Sequence, residues 1–107
     1  MVRGYVGILV TELRFPEAGS LKNKRQHLRS TKTQLQKRFG ASVAETGFHD
    51  VWQRARLVIA LAAAEASALE HLIDGVERFL FSQVYETTLI ERSIVVPGEE
   101  RESPAPD

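Results

Sequence analysis

Residues 41–63 read ASVAETGFHDVWQRARLVIALAA. How this stretch divides decides the architecture. Ala41 to Gly47 is short and reads as a strand, and Gly47, Phe48, His49 and Asp50 read as a connection. From about Gln53 to Ala63 the chain is densest in β-branched and aliphatic residues, with Leu57, Val58, Ile59 and Leu61 together, and reads as a second strand. Two strands in direct succession with a helical pattern on either side limit the folds to a few.

The upstream helical pattern runs from Ser20 to Phe39. Leu21, Leu28, Leu35 and Phe39 keep helical spacing and predict one buried stripe, with Thr31 on its edge. Ser20 is an N-cap candidate, because its hydroxyl can accept from a first-turn N–H. Gly40 suits the left-handed position just past the end. Lys37 and Arg38 in the last turn suit the negative end of the helix dipole. Downstream, Glu65 to Phe81 carries Leu69, Leu72, Ile73, Val76 and Leu80 at i, i+3, i+4, i+7 and i+11. Gly75 inside that helix costs about 1 kcal/mol against alanine, so close packing against a sheet is expected there.

The outermost segments are strands. Val2 to Leu13 alternates, with Val6, Ile8 and Val10 on one side and Tyr5, Leu9 and Leu13 on the other. Val84 to Val96 alternates again. The order strand, helix, strand, strand, helix, strand is the split βαβ, ferredoxin-like pattern of an α+β fold. It predicts a four-stranded antiparallel sheet with both helices on one face, formed by residues 1–96 as a single domain. Residues 97–107 combine proline with acidic residues and no large apolar side chain, and are expected to be a disordered tail. Tyr5, Leu9 and Leu13, with Tyr85 and Leu89, are expected to form an apolar patch on the open sheet face, inviting a homo-oligomer, most simply a dimer.

Two pieces of the chain also carry a family resemblance. Ser20-Leu21-Lys22-Asn23-Lys24-Arg25 opens the first helix. Ser42-Val43-Ala44-Glu45 is followed by Gly47, His49, Asp50 and Trp52-Gln53-Arg54-Ala55. In this order and spacing they resemble the YlxP-like family of small bacterial proteins, domain-of-unknown-function family 503, over about residues 2–96. The resemblance implies a ferredoxin-like fold, a bacterial cytoplasmic location and no established activity. Genes of that family lie among those for translation initiation and ribosome maturation, which implies an RNA or a ribosomal particle as partner.

Composition bounds the chemistry. The 107 residues include 14 basic and 14 acidic ones, a formal net charge of zero, so bulk charge draws the chain to neither nucleic acid nor membrane. There is no cysteine, hence no disulfide, thiol nucleophile or sulfur-bound zinc or iron site. The apolar run Leu57 to Ala64, closed by Arg56 and Glu65, falls far short of the ~20 residues of a membrane span. No secretory leader pattern opens the chain, which fits a soluble cytoplasmic protein.

Charge is separated along the chain. Half of the 14 basic residues, Lys22, Lys24, Arg25, Arg29, Lys32, Lys37 and Arg38, lie in the first helix, and Ser20 to Phe39 holds no acid. Lys22, Arg25, Arg29 and Lys32 recur at spacings of three, four and three, along one side beside the leucine stripe. Like charges at that spacing repel. Two readings stand: a track for phosphates, or a solvated face partly neutralised by the acidic second helix with Glu65, Glu70, Asp74 and Glu77. Trp52 and Arg54 likewise allow two. Trp52 stacks on a base while Arg54 holds a phosphate, or Trp52 is a core or interface anchor while Arg54 pairs with an acid such as Glu45.

No catalytic constellation emerges. His27, His49 and His71 have no ligand spacing, so neither a metal nor another cofactor is implied. His49 and Asp50 are expected in a turn, with Asp50 capping the next backbone, rather than as an acid–base pair. Gly4 and Gly7 lie inside a strand, so no phosphate loop is implied. The chain is therefore read as a non-catalytic module. It either binds RNA or a ribosomal particle through Lys22, Arg25, Arg29, Lys32 and Arg54, or self-associates through its open sheet face without nucleic acid.

Overall fold

The computed structural model describes residues 3–98. Along the chain lie β1 (Tyr5–Arg14), α1 (Leu21–Phe39), β2 (Ser42–Gly47), β3 (Arg54–Ala63), α2 (Ala66–Phe81) and β4 (Glu86–Val95). The strands form one antiparallel sheet in the order β2-β3-β1-β4. This is the ferredoxin-like β-α-β-β-α-β arrangement, with both helices over one face. Pro97 and Gly98 form a turn, and the rest of the expected tail, residues 99–107, lies outside the described residues.

Local chemistry sets the ends of α1. The Ser20 hydroxyl accepts from the Asn23 N–H at 3.2 Å, and Gly40 caps the far end at φ 67°, its N–H donating to Gln36 O at 3.0 Å. Leu28, Thr31 and Leu35 are buried, whereas Leu21 and Phe39 are only half-buried. On α2, Leu69, Ile73, Val76, Phe79 and Leu80 are buried against the sheet. Side chains of this size contribute about 1.5–3 kcal/mol each when fully buried.

Two glycines permit close approach. A Cβ on Gly7 of β1 would lie 2.9 Å from Ile73 Cδ1 and 3.2 Å from Leu69 Cδ1, so α2 can sit close over the middle of β1. A Cβ on Gly75 would lie 2.8 Å from Phe39 Cε1. The packing that favours Gly75 is thus against α1, not against the sheet as the sequence suggested.

The covered face of the sheet is the reverse of the expected one. Leu9 and Leu13 are fully buried beneath the helices with Leu57, Ile59 and Leu61, and Tyr85 is 5% exposed. Tyr5 and Leu89 pack against this core from its edge. The open face instead carries Val6, Ile8 and Val10 of β1, alternating with the buried set, and Val58 and Ala60 of β3, which pair with Val10 and Ile8. Both sides of β1 are apolar, so alternation alone could not say which one the helices cover. The longer side chains, Leu9 and Leu13, go inside.

Two breaks in register steer charged side chains. Between β1 and β4 the register shifts so that Leu89 faces Thr11 and Glu91 faces Val10, leaving Ile90 as the extra residue. Arg92 then lies opposite Leu9, on the helix-covered side. Between β2 and β3 the shift falls between Glu45 and Gly47. Glu45 stays opposite the buried Leu57, on the side facing α1.

Candidate nucleic-acid interface

Lys24 divides the cations of α1 into two sets. It lies four, seven and eleven residues before Leu28, Thr31 and Leu35, so the helical period places it on the buried stripe. The lysine is 1% exposed, and its Nζ donates to Phe48 O at 2.7 Å and to Val51 O at 2.8 Å, with Glu45 Oε2 at 3.3 Å. Reading it as one more surface cation missed this, although the spacing was visible. Arg38 is also engaged, its guanidinium 5.1 Å from the centroid of the Phe79 ring and 5.7 Å from that of Phe39.

Lys22, Arg25 and Arg29 are exposed, and Lys32 is half-buried beside them. Arg25, Arg29 and Lys32, with Leu28 and Glu45, line a cleft of ≈ 160 Å³ between α1 and the edge strand β2. Among the described residues none of these cations has an acidic partner. Three of the acids that could have served are committed elsewhere. Glu45 holds Lys24. Asp74 and Glu77 of α2 hold Arg92 of β4, at 3.1 Å and 2.9 Å. The second helix therefore spends Asp74 and Glu77 on its other flank, whereas its Glu65 and Glu70 are exposed and pair with no cation among the described residues. No acid stands in the first turn of α1, so the positive end of its dipole adds to the same field.

Arg54 belongs to a different cluster. Its Nε donates to Glu12 Oε2 at 2.7 Å, its Nη2 also reaches that oxygen, and its guanidinium lies 4.1 Å from the centroid of the Phe48 ring. Arg56 shares Glu12 at 4.0 Å. Arg54 thus pairs with an acid, but with Glu12 of the neighbouring β1 rather than Glu45. The β1–β3 register explains the choice: Glu12 is opposite Arg56 and diagonal to Arg54, two residues along on the same face. The structure brings Lys22, Arg25, Arg29 and Lys32 onto one flank and leaves Arg54 outside that set.

The β2–β3 connection is a tight turn. The Val51 N–H donates to Phe48 O at 3.1 Å across His49 and Asp50, and Phe48 takes φ 63°, in the left-handed region. The turn agrees with the sequence reading, but among the described residues the Asp50 side chain caps no backbone group. Trp52 is 48% exposed and Val51 40%, so Trp52 is not a core anchor. His27 stacks on Phe15 with centroids 5.7 Å apart. Among the described residues no cluster of three or more His, Asp or Glu side chains is placed to hold a metal ion. No described helix is long and apolar enough to cross a membrane.

Beneath α1, Thr31 Oγ1 and Tyr85 Oη are 2.8 Å apart in the core and satisfy each other. Burial pushes the Tyr85 phenol above its ordinary value, and the hydrogen bond with Thr31 partly offsets this.

Comparison with known proteins adds two findings. A family described as "Protein of unknown function (DUF503)" matches residues 6–93. The chain is also similar to "Uncharacterized protein YlxP" of Bacillus subtilis (strain 168), 34% identical over 77 residues, which cover 72% of this chain and 84% of that protein.

Proposed function

Given that the chain belongs to the DUF503 family, a family of unknown function, we propose that it is a non-catalytic RNA- or ribosome-associated module of the bacterial cytoplasm. It grips phosphates with the outer flank of α1. The observation that carries this reading is the row Lys22, Arg25, Arg29 and Lys32, which has no acidic partner among the described residues while Glu12, Glu45, Asp74 and Glu77 are engaged with other cations. Side chains spaced this way repel one another, and a polyanion relieves the repulsion. A phosphate backbone fits a row better than a single small anion does. Contacts of this kind set position and affinity rather than base sequence.

The test is Arg25→Glu with Arg29→Glu, assayed on structured RNA and on ribosomal particles across a salt series. Both side chains are exposed, so folding is expected to survive. Losing two phosphate contacts lowers the slope of log affinity against log salt by about 1.4–1.8. Unchanged binding at matched salt would remove α1 from the interface, and a wild type that binds neither probe at low salt would end the RNA reading.

A second reading rests on the open sheet face. Val6, Ile8, Val10 and Val58 lie there with no helix over them, and Ile90 at the bulge is 46% exposed. A homodimer pairing these faces would cover the patch. Because α1 lies on the opposite side of the sheet, such a dimer would leave the basic flank accessible, and the two readings are compatible. Light scattering at about 100 μM, where weak complexes form, should give a dimer that Val10→Lys dissociates. A strict monomer would eliminate this reading.

A further inference from the structure

One acid stands among the cations of the basic row. Glu45 lines the cleft between α1 and β2 together with Arg25, Leu28, Arg29 and Lys32. Register puts it there: it lies opposite the buried Leu57, just ahead of the break before Gly47, and so faces α1. Its side chain is 10% exposed. Oε2 is sealed from solvent, 3.3 Å from Lys24 Nζ, and accepts no hydrogen bond among the described residues. Lys24 gives its hydrogen bonds to Phe48 O and Val51 O instead.

A carboxylate offers about four acceptor positions on its two oxygens, so most of the capacity of Glu45 is unused. A nearly buried acceptor left without donors is costly. A solvated charge would sit on the open surface, yet this one stands in the wall of the cleft with three cations around it. Lys24 behind it supplies a counter-charge, so Glu45 lines a cationic cleft without cancelling its field.

The two kinds of group select what can fill the space. A phosphate oxygen is drawn to Arg25, Arg29 and Lys32 and repelled by Glu45. An ammonium group is drawn to Glu45 and repelled by the three cations. A neutral hydroxyl is a donor that both tolerate. A ligand that satisfies the whole cleft therefore carries a phosphate and a hydroxyl close together. The RNA backbone does so in every repeat, with its 2′-hydroxyl and 3′-phosphate on adjacent sugar carbons. DNA presents a C–H in place of that hydroxyl, and the hydroxyl is what distinguishes the two polymers at a site that touches only backbone. The cleft, at ≈ 160 Å³, is well below the roughly 300 Å³ at which pockets enclose drug-sized ligands. It has room for a sugar–phosphate unit and not for the base as well.

From this we infer that the α1–β2 cleft is a ribose–phosphate subsite in which Glu45 accepts a hydrogen bond from a 2′-hydroxyl while Arg25, Arg29 and Lys32 hold the adjoining phosphate. The inference rests on the phosphate reading of α1 and narrows its ligand from a polyanionic backbone to one that carries 2′-hydroxyls.

The experiment uses the full chain and two probes, an RNA stem–loop and the same sequence with 2′-fluorine in place of each 2′-hydroxyl. Fluorine keeps the A-form sugar and the phosphates and removes the donor. Affinity is read by anisotropy across a salt series. Wild type should bind the hydroxyl probe about 10- to 150-fold tighter, the range of one hydrogen bond to a charged group. Both probes carry the same phosphates, so their salt slopes should match and only the offset should differ. Glu45→Gln should narrow that ratio and also tighten the fluoro probe, because a charge that repels phosphate is gone. Circular dichroism checks the variant's fold; if the amide does not fold, Glu45→Asp, which withdraws the carboxylate by one methylene, takes its place with the same narrowing expected.

Equal binding of the two probes by wild type would overturn the subsite and leave the α1 row standing. So would a preference that the Glu45 variant keeps in full, or one expressed in the salt slope alone. If wild type binds neither probe at low salt, row and subsite both fall.

Discussion

Replacing Lys24 with methionine keeps much of the side-chain volume and removes the charge and the donors. Lys24 is 1% exposed, and its Nζ serves Phe48 O and Val51 O at 2.7 Å and 2.8 Å and lies 3.3 Å from Glu45 Oε2. Lys24→Met therefore leaves two loop carbonyls and a nearly buried carboxylate without their cation. Breaking a buried pair by removing one partner costs about 3–5 kcal/mol. That is a large share of the roughly 5–15 kcal/mol that holds a domain folded. Glu45→Gln removes the other charge, but the lysine keeps both carbonyls, so this change should cost less. In Lys24→Met with Glu45→Gln no buried charge is left over, and the double mutant should be more stable than the sum of the single changes predicts, by about 1–3 kcal/mol. The assay is urea unfolding followed both by far-UV circular dichroism and by the emission of Trp52, whose loop the lysine holds. Loss of less than about 1 kcal/mol in Lys24→Met, on the scale of an ordinary hydrogen bond, would refute the assignment. So would strict additivity in the cycle.

Gly7→Ala places a Cβ 2.9 Å from Ile73 Cδ1, and overpacking of this kind should destabilise by about 1–3 kcal/mol; a neutral or stabilised variant in the same unfolding assay would show that α2 gives way without strain. Tyr85 predicts a pH effect of fixed sign. Its folded phenol titrates above the 10.0 of the unfolded chain. Above pH 10 the unfolded state therefore gives up a proton that the folded state keeps. The stability linked to Tyr85 is thus fully present below pH 10.0 and declines as pH rises through the folded value. Tyr85→Phe should cost about 1 kcal/mol near neutrality through the lost bond to Thr31, and the gap to wild type should shrink above pH 10; a constant gap from pH 8 to pH 11 would contradict it.

How much was legible depended on how local the physics was. The element order, the Ser20 and Gly40 caps of α1 and the stripe on α2 could be read from the chain, because period and capping act over a single turn of backbone. The row Lys22, Arg25, Arg29 and Lys32 was legible for the same reason, and its flank is accessible as expected. Three features were not. Both sides of β1 are apolar, and only the docking of the helices decided that Leu9 and Leu13 are covered and Val6, Ile8 and Val10 are not.

The partners of the charges were also set at long range. Glu45 meets Lys24 and Glu12 meets Arg54 because of strand register, and Asp74 and Glu77 meet Arg92 past the bulge at Ile90. A one-residue shift in register moves a side chain to the other face of a sheet, so no reading of spacing along one strand could assign those pairs. Trp52 is the third case. A large aromatic is ordinarily burial surface, yet it stands half-exposed beside a turn that a lysine on another element pins. The amino-acid sequence by itself determined which segments are helices and strands and where the positive charge runs, since those follow from neighbours a few residues apart. The tertiary structure decided which of those charges remain uncompensated and which apolar surfaces remain uncovered, since both depend on groups brought together from distant parts of the chain.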